Sequence, residues 1–557
     1  MKKIMKKHLI LAFSAMCLST SFMSCDDYLE TSSSTDISDN VALSNTTNLD
    51  KVLLGPYHYL LMGGNVNSSD RVLNGLTGML SYYDLAGVDI MSNYGMGGSE
   101  YTSYTFADTR SQASDASTKA IWCQFYDNIN RCNIILDAVE DASGPDTDKQ
   151  YLRGQAKAIR AISYFQLILN YQQTYQIAKS KRGVILRLSA SDPDQMPFST
   201  VEQVYAQILK DLNDAKTELQ SYDPADVWRI TTEVVNAWLA RVYQVMGNWT
   251  EAFNCAKAVY DNHSTLLTKE QWCGGFDDFI QNGYNEFVWG YQNTDETSAG
   301  SSVPHSMWFN GDPSKGEGVE GYIYTFKTFF VSNQWLALFD GDDTDYRASR
   351  LETTPEDVEA DPSMQVTDDQ VKQVMLWHRT TNSDPEIAHK WSYNKFKHYG
   401  VDMKIRPDIC LIRSSEMLLI MAEAKANIDN GGATALGYLN TLQTARDVKS
   451  PTTTTEKGDL LEAIYVERRK ELLGEGVTGM YDLNRLQKDA TREGTSASNN
   501  FTGHFAIGLT YWGTKDAAGA TSTMQHNDYS YFCQIPADEF AKNEAISSSD
   551  QNPLRGK

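Results

Sequence analysis

The feature that most constrains this chain is a pair of apolar stripes in residues 228–261, WRITTEVVNAWLARVYQVMGNWTEAFNCAKAVYD. Val235, Trp238, Leu239, Val242, Val245 and Met246 recur at helical spacing, so the first half presents one apolar face. Gly247 and Asn248 break the stripe as a turn does. It resumes from Trp249 and Thr250 through Phe253, Ala256, Val259 and Tyr260. Ala240, Ala252 and Ala256 are small enough to let two helix backbones approach closely. The segment reads as a helical hairpin. One hairpin cannot bury both its faces, so further hairpins should stack on it.

Leu239, Ala240, Tyr243, Gly247, Trp249 and Ala252 fit the spacing of a tetratricopeptide repeat. A chain of 557 residues is long enough for several such units and a large core. Apolar residues at 41% and charged ones at 22% place it among globular proteins. A net charge of −23 argues against nucleic acid and against docking on anionic lipid, both of which need a basic face.

The first 24 residues read as a targeting segment. Lys2, Lys3, Lys6 and Lys7 supply a positive start, and Leu9 to Phe22 an apolar stretch too short and too rich in Ser and Thr to span a bilayer. Cys25 then stands where cleavage is expected, in a setting that resembles a bacterial lipobox, with Phe22 where Leu is usual. On that reading Cys25 is acylated, the acyl chains anchor the protein to a membrane, and residues 25–40 are a polar tether. Cys123, Cys132, Cys255, Cys273, Cys410 and Cys533 remain in the folded part, without a Cys-x-x-Cys. Cys123 and Cys132 fall about 180° apart on one predicted helix and cannot bridge. Free, mostly buried thiols are expected, with no disulfide framework and no zinc site.

Taken in order, the periodicity predicts helices over 41–62, 73–83, 119–140 and 151–171. A helix to Leu219 follows, with Ser199 as N-cap and Glu202 as its capping-box partner. After the hairpin, residues 262–400 change character, rich in Trp, Gly, Asp and Pro. Phe287, Trp289 and Tyr291 alternate there as a strand does. Helices return at 414–428, 433–446 and 460–473, and the tail from Asp489 is loop-rich.

Several of these stretches resemble the SusD/RagB family of surface glycan-binding lipoproteins. LRGQAKAIRAISYFQLILNY (152–171), YAQILKDLNDAKTEL (205–219), the hairpin, SSEMLLIMAEAKAN (414–427) and YLNTLQTAR (438–446) are similar to successive helices of that family. AIYVERRKELLGEG (463–476) and MYDLNR (480–485) resemble its late signature, with counterparts at Glu467, Arg468, Glu471 and Glu475. FCQIPADEFAKN (532–543) and Asn552–Pro553 resemble its closing segment. One departure is Thr478–Gly479–Met480–Tyr481, where the family usually has an Arg before the Asp-Leu pair. The resemblance implies a mostly α fold: a right-handed superhelix of irregular tetratricopeptide-like helical hairpins, mainly in 119–261 and 410–486. A loop-rich second region from 63–118, 262–400 and 489–531, carrying few short strands, would pack on it, so that 41–557 form one unit. It also implies glycan binding, or less often peptide binding, on the outer membrane of a Gram-negative bacterium, with a TonB-dependent, SusC-like transporter as partner.

There is no His-Glu-x-x-His, no P-loop and no Gly-x-Ser-x-Gly. Gly95, Gly97 and Gly98 miss the dinucleotide pattern because Glu100 takes the third glycine's place. Ser392 and Lys395 form an isolated Ser-x-x-Lys. Asp340, Asp342, Asp343 and Asp345 are a calcium candidate without EF-hand spacing, the alternative being a solvated acidic turn. No cofactor is implied. Sugar rings stack their C–H faces on aromatic rings while their hydroxyls need amide or carboxylate partners. Two loop clusters offer both: Asn93, Tyr94, Tyr101 and Tyr104, and Trp308, Phe309, Asn310 and Asp312, with Tyr322 and Tyr324 close in sequence. The competing account puts these aromatics in a small core under the loops. Trp122, Trp238 and Trp289 sit in periodic segments and are expected in the core. Three functions remain open: a glycan binder, a peptide binder and a surface glycoside hydrolase.

Overall fold

A computed structural model of the chain describes residues 39–63, 75–92, 113–114, 116–273, 276, 279–292, 329–348, 395, 408–493, 514–515 and 521–553. Its principal helices are α1 (Thr46–Met62), α2 (Gly75–Leu85), α3 (Ala116–Ala138), α4 (Asp146–Tyr171), α5 (Val201–Glu218), α6 (Thr232–Met246) and α7 (Trp249–Tyr260). Four more follow: α8 (Ser414–Ile428), α9 (Ala433–Ala445), α10 (Lys457–Glu471) and α11 (Gly479–Leu486). From α3 to α9 each helix packs on the next, α10 packs on α8, and α1 lies across α3 and α4. This is the stack of hairpins that the apolar stripes require.

The central hairpin forms where its sequence breaks. Gly247 adopts the left-handed conformation at φ 70°, so the chain reverses and the Asn248 N–H donates back to the Tyr243 carbonyl at 2.9 Å. The Asn248 side chain then caps α7. Leu239, Ala240, Ala252 and Ala256 are fully buried, and Trp238 meets Phe165 and Trp289 edge-on at 6.2 and 6.3 Å. Trp122 and Trp289 are buried as well, as their periodicity indicated.

Two local expectations are corrected. The capping box of α5 is Thr200 with Gln203, one residue later than Ser199 with Glu202. The backbone of Ser199 is already committed, its carbonyl to the Gly183 N–H and its N–H to the Val184 carbonyl, so the chain there is still extended. On α1, whose apolar stripe the sequence reads through Leu54, Tyr57 and Leu61, Leu54 is exposed, because the buried stripe runs through Leu49, Leu53, Tyr57, Leu60 and Leu61, one position away.

Among the described residues seven strands form three small sheets. β1 (Ile90–Ser92) pairs antiparallel with β3 (Phe329–Val331), and β2 (Phe287–Tyr291) with β4 (Ile409–Arg413). β5 (Ala490–Glu493) and β6 (Thr514–Lys515) both pair with β7 (Thr521–Met524). The strand expected at Phe287, Trp289 and Tyr291 is therefore present, and its partner, the apolar run ICLIR, was not foreseen. Gly290 makes the pairing possible: a Cβ there would lie 1.9 Å from the Ile409 carbonyl oxygen. The six cysteines are free, with Cys132, Cys255, Cys410 and Cys533 buried. Among the described residues no helix is long and apolar enough to cross a membrane.

Candidate ligand site and the cluster that supports it

Asn93, Tyr94, Tyr101, Tyr104, Trp308, Phe309, Asn310, Asp312, Tyr322, Tyr324 and Cys25 all lie outside the described residues. The structure does describe the strands from which the two aromatic segments spring. β1 ends at Ser92, whose partner across the ladder is Phe329, the first residue of β3. Residues 93–112 thus leave, and residues 293–328 return, at the same end of one two-stranded ribbon. The 293–328 segment begins just after β2, where Tyr291 shares a hydrogen bond of 2.9 Å with Thr77 on α2. A third segment, 494–513, leaves β5, and β5 is tied to the same neighbourhood. The Arg492 guanidinium donates to the carbonyls of Leu85 and Gly87 at 2.8 and 2.9 Å. The Gln334 amide donates to the Thr491 carbonyl at 2.9 Å. Ser92, Phe329 and Arg492, the described residues next to three stretches distant in sequence, therefore belong to strands that lie beside the turn that follows α2.

Beneath them lies a buried ion cluster. Glu286 precedes β2; Asp345 and Arg347 follow β3; Lys395 comes from the loop region; Arg413 ends β4; Arg446 follows α9; Glu467 and Glu471 lie on α10, with Glu475 just beyond it. All have side chains almost or fully withdrawn from solvent. Glu471 is the hub. Its Oε1 accepts from Arg413 Nη1 and from Arg446 Nη2, both at 2.9 Å, and its Oε2 from Arg347 Nη1 at 3.0 Å. Arg413 also donates to Glu475 Oε2 at 2.9 Å and to Glu286, and Arg446 reaches Glu286 at 3.1 Å. Arg347 holds Asp345 with two donors, at 2.9 and 2.7 Å, and lies 2.7 Å from Glu467. Lys395 donates to the Glu471 and Leu473 carbonyls at 2.7 and 2.8 Å and to Glu475 at 2.5 Å.

Charges this deep need near-complete mutual compensation. Burial alone would raise the Glu471 carboxyl, yet Arg446, Arg413 and Arg347 hold it well below the usual carboxylate range. Burial likewise works against ionised Glu475, and Arg413 and Lys395 outweigh it. Burial lowers the Lys395 ammonium more than Glu475 raises it. These cations point at protein acceptors, so the cluster ties Glu286, Arg347, Lys395 and Arg413 to the C-terminal end of α10. A second network joins three helices: Arg468 to Asp482 at 2.8 Å, Asp482 to Arg485 at 2.7 Å, and Arg485 to Glu423 at 2.6 Å.

The other candidates take ordinary roles. Asp342 Oδ1 accepts the backbone N–H groups of Thr344, Asp345 and Lys449 at 3.0–3.2 Å, while Asp343 pairs with Lys449 at 2.7 Å. With Asp345 held by Arg347, the acidic run does not converge on a point. Among the described residues no group of three or more His, Cys, Asp or Glu is placed to hold a metal ion. Lys395 of the Ser-x-x-Lys pair is spent on the cluster, and Ser392 lies outside the described residues. The Thr478–Gly479 departure has a definite use. Thr478 Oγ1 donates to Asp84 at 2.9 Å, and Gly479, at φ 49°, lies so near α2 that a Cβ would come 2.4 Å from the Tyr83 carbonyl oxygen. Sequence reasoning named Glu467, Arg468, Glu471 and Glu475 only through resemblance, and missed Glu286, Arg347, Arg413 and Arg446. The one local signal was an arginine closing the apolar run ICLI.

A stack of helical hairpins, with short strands keyed to it by buried charges, defines a helical-repeat scaffold. The family described as starch-binding and associating with the outer membrane matches residues 27–244, and the SusD family matches residues 285–554. The chain belongs to the SusD/RagB family. Among solved structures, a SusD-like carbohydrate binding protein from Bacteroides vulgatus is similar at 24% identity and TM-score 0.70, covering 92% of this chain and 99% of that one. A SusD superfamily protein from Bacteroides thetaiotaomicron matches at 23% identity and TM-score 0.67, covering 91% and 100%. A laminarin-binding SusD-like protein matches at 18% and 0.62, covering 92% and 99%. Identities this low establish the fold. No curated protein matches the chain.

Proposed function

We propose that this protein binds a glycan at the cell surface without transforming it and delivers it to a TonB-dependent, SusC-like transporter in the outer membrane, held there by lipid on Cys25. The observation that carries the glycan site is the β1–β3 ribbon. It sets Ser92, after which the segment with Tyr94 and Tyr104 follows in sequence, opposite Phe329, before which the segment with Trp308 and Tyr324 runs, and this pairing supports reading the two segments as parts of one site. The family match and the laminarin-binding relative favour carbohydrate over peptide. Non-catalytic binding agrees with the lack of any hydrolase motif in the sequence.

Stacking an aromatic face on a sugar removes roughly 100 Å² of apolar surface, about 2–3 kcal/mol. Hydroxyl hydrogen bonds add little net, since water satisfied both partners before. Association entropy offsets much of the total, which leaves dissociation constants on the order of micromolar to millimolar for a short oligosaccharide. Trp308→Ala should weaken binding about tenfold or more with an unchanged melting temperature. Titration over a panel of glycans and peptides checks it. Unaltered affinity, an early-melting mutant, or preference for peptides would overturn the reading. The anchor is checked separately: Cys25→Ala should leave the membrane fraction and stay folded, and retention after a salt wash would refute lipidation.

A further inference from the structure

We infer that His263 is a proton-operated latch: as an imidazolium it ties the end of α7 to the start of α6 and to Asn285, and its deprotonation loosens the base of the loop between 264 and 285. Nε2 of the ring lies 2.9 Å from a Glu233 carboxylate oxygen, and Nδ1 lies 2.8 Å from the Asn285 carbonyl oxygen. A carbonyl never donates, and an ionised carboxylate does not either. A neutral imidazole has one N–H, so it can serve one of these oxygens and must turn a lone pair on the other. The imidazolium serves both.

The local structure favours the charged form. His263 follows the last turn of α7, and its backbone N–H donates to the Val259 and Tyr260 carbonyls at 3.2 and 3.1 Å. A cation there meets the negative end of the helix. Glu233 lies in the first turn of α6, at a positive end, and the Asn262 amide donates to its other oxygen at 2.6 Å. The remaining charges of the adjoining segments are engaged elsewhere. Lys257 pairs with Asp261 at 2.6 Å, Lys269 with Asp447 at 3.9 Å, and Glu286 belongs to the ion cluster; Glu270 is exposed. Burial pulls the His263 pKa down, but the bonds to Glu233 and to the Asn285 carbonyl outweigh it and hold the value above the ordinary 6.5. The His263 bond in turn holds Glu233 below the ordinary 4.5. The ring is 18% exposed, so its proton can exchange with water.

Three further bonds close the base of the loop around this point. The Thr265 N–H donates to Asn285 Oδ1 at 2.9 Å, the Asn285 amide to the Asn262 carbonyl at 3.1 Å, and the Leu267 N–H to Glu286 at 2.6 Å. The loop brings Trp272, Phe276 and Phe279 into the core, and Glu286 joins the residues before β2 to the ion cluster. Because the folded pKa of His263 is raised, its contribution is complete below about pH 6.5 and is lost as pH rises through the folded value. Because that of Glu233 is lowered, its contribution is present above about pH 4.5 and is lost as pH falls. The latch is closed between these limits and opens on the alkaline side by losing the His263 proton.

Hydrogen exchange of the full chain, read by mass spectrometry near pH 5.5 and near pH 8 and corrected for intrinsic rates, tests it. Protection of peptides within 262–273 and 280–287 should fall roughly threefold or more from the lower pH to the higher, the scale of a partly exposed ion pair. In His263→Gln it should be level, and titrations elsewhere cancel between the two proteins. The imidazole C2–H resonance that His263→Gln removes should titrate above pH 6.5 in wild type. It should move down in Glu233→Gln, which keeps an oxygen acceptor and removes the charge. If His263→Gln fails to fold, the resonance that moves in Glu233→Gln identifies the ring, and the same two measurements decide. Wild-type protection that is equal at both pH values, a loss in His263→Gln that is the same at both, or a His263 that titrates at or below 6.5 overturns the latch.

Discussion

The α4–α7 hairpins and the β2–β4–α10 junction are both buried, yet they are held by opposite means. Around Trp238 and Leu239 it is chiefly apolar and small side chains that meet. Around Glu471, four cations and five carboxylates meet with almost no solvent. The difference follows what each must hold. A repeat is positioned by its neighbour: successive helices share a periodic face, and any well-filled packing brings them into line. The segments carrying Glu286, Arg347, Lys395 and Arg413 have no periodic partner. Apolar contact would bury them without fixing their register. Paired, directional hydrogen bonds fix it, at the cost of leaving uncompensated charge if one member is lost.

That contrast predicts the largest effect at the junction. Arg413→Met should cost about 3–5 kcal/mol, because it strands Glu286, Glu471 and Glu475 in the interior. Arg413→Lys should recover little of it, since a single ammonium cannot reproduce the fork. Denaturant unfolding measures the cost, and limited proteolysis should show cleavage within 293–407 before the hairpins are cut. A loss below about 1 kcal/mol would mean that apolar packing, and not the ion cluster, seats the loops.

The hairpins should respond more gently and with more tolerance of shape. Leu239→Ala should cost about 2–5 kcal/mol by lost transfer and cavity, whereas Leu239→Met should stay below about 1.5 kcal/mol. The pairing of a costly Arg413→Lys with a mild Leu239→Met is the sharpest form of the comparison. Equal tolerance at both sites would erase the distinction.

The same contrast explains what the sequence disclosed. Hairpins announce themselves because their buried positions recur every three or four residues and their turns need Gly247 or a capping side chain. The error at Ser199 was one residue, because a cap depends on where the preceding backbone finds its partners. β4 was missed because ICLIR runs directly into the SSEMLLIM helix, and a short apolar run carries no period of its own. The ion cluster was illegible for a stronger reason: Glu286 and Arg446 are 160 residues apart, and neither is marked by its surroundings. Of the candidate sugar contacts, sequence supplied the residue types, and the structure supplied the common root at Ser92 and Phe329.

Asp84 offers the smallest and most discriminating test, because it is a buried carboxyl held by neutral donors. It is 2% exposed on α2, accepts the N–H groups of Gly474 and Gly476 at 2.7 and 3.2 Å and the Thr478 hydroxyl, and makes no ion pair among the described residues. Burial raises its pKa to about 7 against the opposing pull of those three donors. A carboxyl whose folded pKa lies above its unfolded one binds a proton in the folded state that the unfolded chain has released. Its stabilising contribution is complete below about pH 4 and is lost as pH rises to about 7. The amide introduced by Asp84→Asn does not titrate, yet its oxygen can accept both N–H groups and its nitrogen can donate to the Thr478 hydroxyl. Asp84→Asn should therefore match wild type near pH 5 and gain on it toward pH 8, by no more than about 2–3 kcal/mol. Other titrations cancel in the difference between the two unfolding curves. A difference that is flat with pH, or one that falls, would show that three hydrogen bonds compensate this carboxylate as fully as the arginines compensate Glu471, and that the seam between α2 and the 474–478 loop is no weaker than the ion cluster.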